Sequence, residues 1–312
     1  GPWAGGVQLG YSDGSTFAGN TFSGNDGAGL LLQSSGLVHL EGNTFQGNAG
    51  CGAKVQGGDV TALDNVFTGN GTAGIGDEYA LSMGGPALVE GNLVSGNNEN
   101  GLQVSAGLGV TAVVRNNTIV DNLGRGLHIS GQGVVQGNLI ARNSSPGWGG
   151  GIYLTEGDGA VLEGNTITGN EASWTGGGLN IQNSKSVAIR HNVVTGNVAG
   201  AGGGLAMMSG HGSTVSDNEF SGNEGGEGGG IWAASGYVEI RHNVVTGNHA
   251  ASGGGVYLNR SGPLTNNDIS NNQATDGGGV WATELCTLTG NRLAANVAAD
   301  RGGGLYWERG TG

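Results

Sequence analysis

The chain has 312 residues, 71 of them glycine and 4 proline, with 11% charged residues and a formal net charge of −13. No Gly-x-x triplet repeat runs through it, which excludes collagen, and the regular apolar pattern excludes a disordered chain. With only 11 Lys and Arg it lacks the basic patches that nucleic acid and anionic membranes require, and no apolar run is long enough to span a bilayer.

Residues 1–19 read as one partial coil. From there a closing element, Asn-x-apolar-x-x-Asn, recurs twelve times. Its first asparagines are Asn20, Asn43, Asn65, Asn92, Asn117, Asn138, Asn165, Asn192, Asn218, Asn243, Asn267 and Asn291. In every copy the residue five further on is also asparagine, from Asn25 to Asn296. The interval between copies is 21 to 27 residues, the period of a stacked solenoid. The early units are less regular: AGLLLQ at 28–33 stands where later copies have three glycines. The stretch 71–86 (GTAGIGDEYALSMGGP) reads as a loop or a distorted strand. Glycine triplets begin at Gly149, Gly176, Gly202, Gly228, Gly253, Gly277 and Gly302.

Inside each unit apolar residues alternate with period two, the strand signature. After the glycines come pairs such as Ile152/Leu154, Leu179/Ile181 and Val256/Leu258. A second pair precedes the asparagine, as in Val187/Ile189, Val238/Ile240 and Cys286/Leu288. A single apolar residue lies between the two asparagines, from Phe22 to Leu293. Three short strands per unit bury their apolar faces only if the units stack coil on coil. The expected fold is therefore an all-β, right-handed parallel β-helix of about twelve coils, with three parallel sheets and two asparagine ladders. Right-handedness is the rule for parallel crossovers. Asparagine suits a coil corner because it tolerates the left-handed turn conformation and its amide both donates and accepts.

Residues 1–312 read as a single domain. The repeat runs to both ends without a polar cap, so we expect a segment of a longer surface or secreted protein. Cys51 and Cys286 lie many coils apart, at roughly 4.8 Å per coil, beyond the reach of one disulfide. Cys286 falls at an inward position, where a thiol behaves as a small hydrophobe.

The elements Gly-Gly-x-apolar and Phe-x-x-Asn, the latter literal at Phe22–Asn25, Phe45–Asn48, Phe67–Asn70 and Phe220–Asn223, resemble the repeat motifs of bacterial polymorphic outer-membrane protein passengers. The resemblance covers roughly residues 20–307. It implies a cell-surface or secreted β-helix, often an adhesin.

Outward positions are where function would lie. Tyr153, Asn180, Ala206, Trp232, Tyr257, Trp281 and Tyr306 occupy one outward column after the glycines, so four successive coils, Trp232 to Tyr306, stack aromatic rings. Glu227, Asp276 and Glu284 flank them. Aromatic faces beside carboxylates suit sugar rings; alternatively the rings pack on each other and shield neighbouring glycines, or an absent domain covers them. A second candidate is the corner column His191, Asp217 and His242, which could hold a divalent metal or act as an acid/base set. Its simpler reading is an exposed Arg190–Asp217–Arg241 charge ladder, like the alternations Glu90–Arg115 and Glu163–Arg190. A Gly-His-Gly at His211 resembles one motif of polygalacturonase-type glycosidases, but their other motifs are missing. Glu227 and Asp276, two coils or roughly 9–10 Å apart, lie near the upper separation for an inverting carboxylate pair.

We therefore expect an extracellular, non-enzymatic, adhesin-like or carbohydrate-binding scaffold. Its partner would be a polysaccharide or a cell-surface molecule, met along Tyr153, Trp232, Tyr257, Trp281 and Tyr306. No cofactor, resident metal, nucleic acid or membrane insertion is expected. The alternatives are a polysaccharide-degrading hydrolase or lyase using His191, Asp217, His242, Glu227 or Asp276, and a structural spacer.

Overall fold

A computed structural model describes residues 5–11, 13–33, 36–71, 79–107, 109–283 and 286–308. Every regular element in them is a β-strand, and the strands pair in parallel. No helix among them is long and apolar enough to cross a membrane. The chain falls into two compact units, Gly1–Ser144 and Ser145–Gly312.

In the first unit each coil contributes one strand to each of three sheets. Val7–Gly10 pairs with Leu30–Gln33 in the first sheet. Ser15–Ala18 pairs with Leu37–Glu41 in the second, and Thr21–Ser23 with Thr44–Gln46 in the third. The registers stack like on like, so Phe22, Phe45 and Phe67 meet inside the coil. Their rings lie parallel, with centroids 4.9 and 4.6 Å apart. The irregular stretch contains a strand. Tyr79–Gly84 is a strand in register with both Ala53–Gln56 and Asn100–Ser105; residues 72–78 lie outside the described residues.

The second unit repeats the same three sheets and adds a fourth, which the period-two reading did not anticipate. From the second ladder asparagine to the first-sheet strand is five residues at Asn25–Leu30 but nine at Asn170–Leu179 and eight at Asn197–Leu205. The added residues form strands such as Glu171–Thr175, Val198–Ala201 and Glu224–Glu227. The glycine triplets make the corner between fourth and first sheets. The first glycine of each has φ between +60° and +70°, a region open to glycine without steric cost. At the third there is no room for a side chain: a Cβ on Gly151 would meet the Gly178 carbonyl oxygen at 2.6 Å.

Both asparagine ladders are present within each unit. In the second unit the backbone N–H and the amide of Asn165 both donate to Asn192 Oδ1, at 3.0 and 2.9 Å. Asn192 does the same to Asn218 Oδ1, and its amide also donates to the carbonyls of Leu162 and Arg190. One buried amide thus satisfies corner groups of three coils, an arrangement favoured by the low local dielectric. The left-handed conformation, however, belongs to the residue before each ladder asparagine and not to the asparagine. All twenty-four preceding residues have φ between +52° and +69°. Ten of them are not glycine: Asp64, Asn116, Asp121, Arg142, His191, Asp217, His242, Asn266, Asn271 and Ala295. Eight of these are Asn, Asp or His, the side chains that tolerate this region best.

The inward alternation holds: Ile152, Leu179, Ile181, Ile189, Val256 and Leu258 are fully buried. Cys51 and Cys286 are buried thiols, and burial pushes the Cys286 thiol upward in pKa.

Candidate functional site

The aromatic column is in register as its spacing implies. Tyr153 pairs with Asn180, Ala206 with Trp232, Trp232 with Tyr257, Tyr257 with Trp281, and Trp281 with Tyr306. Its middle is not an open surface. Tyr257 and Trp281 lie face to face, with centroids 4.1 Å apart and planes within 2°, and are only 8% and 7% exposed. Rings at the spacing of adjacent strands cover each other, so this pair offers edges and no free faces. Tyr153, Trp232 and Tyr306 are half-exposed.

Both acids of the column are held by neighbours. Glu227 and Asp276 stand two coils apart, with Ser252 between them in register. Glu227 accepts a 2.9 Å hydrogen bond from the Trp232 indole N–H. Asp276 takes two from the Arg301 guanidinium, at 2.8 and 2.7 Å. That pairing holds the Asp276 carboxyl below the usual carboxylate range and raises the Arg301 pKa, so Asp276 is not a proton donor near neutrality. Arg301 also lies 4.3 Å over the Tyr306 ring and donates to its hydroxyl. Glu284 lies outside the described residues.

His191, Asp217 and His242 line one shallow groove of about 460 Å³, with Val193, Glu219 and Val244. Each occupies a left-handed position before a ladder asparagine, which accounts for these residue types without a ligand. No three His, Cys, Asp or Glu side chains among the described residues are placed to hold a metal ion. The Arg–Asp–Arg ladder is not formed either. Arg190 pairs with Glu163 at 3.0 Å and Arg241 with Glu239 at 3.6 Å. The Arg190 hydrogen bond lowers the Glu163 pKa. Glu90–Arg115 is an ion pair at 2.7 Å, as its spacing implies. His211 sits exposed in a turn, where its ring accepts from the Tyr237 N–H at 3.4 Å.

The structure brings out two residues that the column reading missed. Trp148 and Trp174 meet edge to face with centroids 4.6 Å apart, and Trp148 lies over Tyr153 at 6.3 Å. Trp174 is 54% exposed and Trp148 36%. A register shift makes room for Trp174: Ala172 and Thr175 pair with Ala199 and Ala201, three steps against two. The one signal in the sequence is the coil longer by a residue, EASWT against VAGA.

The right-handed β-helix region family matches residues 6–166 and 142–297. This supports the handedness and the solenoid; the match is to the repeat at large, and the narrower passenger resemblance rests on the motifs alone. No curated protein matches the chain. Two solved structures are similar, each at 12% identity. One is the Azotobacter vinelandii mannuronan C-5 epimerase AlgE6 A-module, with 90% of this chain and 84% of that chain covered and a TM-score of 0.47. The other is the Dettilon tailspike protein, with 89% and 61% covered and a TM-score of 0.40.

Proposed function

The chain belongs to the right-handed β-helix family, and on that scaffold we propose that it is an extracellular, adhesin-like protein that binds a glycan without turning it over. The carrying observation is the division of labour on the aromatic face of the second unit. The carboxylates there are bound to their own neighbours, Glu227 to Trp232 and Asp276 to Arg301, while ring surface stays accessible at Tyr153, Trp232 and Tyr306. The Tyr257–Trp281 stack between them acts as a rigid strut that fixes the spacing of the outer rings. Exposed aromatic surface on a rigid sheet is a common basis for recognition.

A glycan array with the intact protein, Trp232→Ala and Tyr306→Ala tests this reading. Binding that weakens in the variants supports it. No binding to any glycan leaves the spacer role. New reducing ends or unsaturated products from a bound polysaccharide would establish the enzyme instead.

A further inference from the structure

Resting on the glycan-binding reading, we propose that Trp148, Tyr153 and Trp174 form a discrete subsite for one neutral hexopyranose unit, with Trp174 supplying the stacking face and Asn180 the polar contact. Three observations converge on this corner.

The first is the bulge. Within Glu171–Thr175 one residue more is spanned than in the facing strand, and bulges re-aim side chains at sites of function. The extruded backbone is held on both sides. The Trp174 N–H donates to the Gly147 carbonyl at 3.0 Å. On the other side the chain passes so close that a Cβ on Gly200 would meet the Trp174 carbonyl oxygen at 2.6 Å. A side chain 54% exposed therefore stands on a fixed base.

The second is ring geometry. The Trp148 and Trp174 planes meet at 76°, edge to face. Such a contact covers only part of a ring, and Trp174, 54% exposed, keeps the larger share of its surface toward solvent. Trp148 and Tyr153 are near parallel at 18°. The rings make an L-shaped apolar corner, a surface suited to the C–H face of a pyranose.

The third is an unpaired acceptor. Asn180, beside Tyr153 in register, is 2% exposed. Its amide nitrogen donates to the carbonyl and the hydroxyl of Thr175, the residue after Trp174. Because that carbonyl can only accept, the nitrogen must face it, and Oδ1 is left with no hydrogen-bond partner. A buried acceptor without a partner is destabilising, and a ligand hydroxyl would satisfy it. Nearby, Gln182 accepts from the Tyr153 hydroxyl at 3.0 Å and keeps its own N–H donors for a second sugar oxygen.

Charge selects among sugars. Glu171 lies in the same strand as Trp174, and the whole chain carries −13, so a uronate would meet like charge. A quaternary ammonium would use the rings but leave Asn180 Oδ1 unsatisfied. A neutral hexose uses both.

The test is a titration of tryptophan emission with neutral gluco-, manno- and galacto-hexaoses and with oligogalacturonate of equal length, on the whole chain. Trp174→Ala should weaken binding of at least one neutral hexaose by about tenfold or more, while Trp174→Tyr changes it by about twofold or less. The exposed Trp174 side chain makes Trp174→Ala a variant that keeps its melting temperature. If Trp174→Ala binds as well as the parent while Trp232→Ala does not, this subsite is wrong and glycan binding at the column stands. If oligogalacturonate binds more tightly than every neutral hexaose, the neutral assignment falls. If the parent chain binds none of the neutral hexaoses, this subsite is wrong, and the glycan array alone decides the column.

Discussion

The ring of Tyr257 lies on that of Trp281, 4.1 Å between centroids and 2° between planes. Burial pushes the Tyr257 phenol up to about 12, helped by the negative charges of Glu227 and Glu308. The fold thus favours the neutral phenol. Its contribution to stability is complete below pH 10, the ordinary value, and is lost as pH rises through about 12. Absorbance at 295 nm should show Tyr257 ionising only as the pH nears about 12, and Tyr257→Phe should flatten alkaline melting between those pH values. A Tyr257 that titrates near pH 10, the ordinary value, would contradict the buried stack.

The ladders predict a large effect from a small change. Asn218 accepts from the backbone N–H and the amide of Asn192 and donates to the carbonyls of Ile189 and Ser216. Asn218→Ala strands several buried groups at once, each costing about 1–3 kcal/mol. Urea unfolding should therefore lose about 3 kcal/mol or more. Asn20→Ala, at the exposed start of its ladder, should lose far less.

Glycines separate into two mechanisms. Gly151→Ala would drive a Cβ into the Gly178 carbonyl oxygen and to 2.9 Å from Ile167, which no side-chain movement relieves. Gly164→Ala meets nothing within 4 Å but keeps a φ of +63°. The second should cost about 1–2 kcal/mol and the first clearly more, read as the difference in chemical denaturation midpoints. Equal costs would mean that close packing of the coils plays no part.

The left-handed column predicts a gain. Ala295 holds φ of +52° with a Cβ and no polar side chain to compensate, so Ala295→Gly should stabilise by about 1 kcal/mol. Asn266→Gly, at an Asn that already tolerates φ of +55°, should gain little. Thermal melting of the two variants distinguishes them.

Much of this was legible in the chain. The 21- to 27-residue interval and the paired asparagines define a stacked coil, and period-two alternation assigns each residue to the inside or the outside. The register of Trp232, Tyr257, Trp281 and Tyr306 follows from the same spacing. These are properties of pattern, and stacking at a fixed rise per coil turns pattern directly into position.

Tertiary structure alone decided the rest. That Tyr257 and Trp281 close on each other, that Asp276 belongs to Arg301, and that a bulge lifts Trp174 beside Trp148 all depend on which rotamers and backbone contacts compete at one place. So does the transfer of the left-handed turn from each asparagine to the residue before it. The amide of the asparagine has to point inward to reach the next coil, and the preceding residue makes the turn that aims it. A linear sequence records neighbours along the chain, whereas these outcomes were settled between coils.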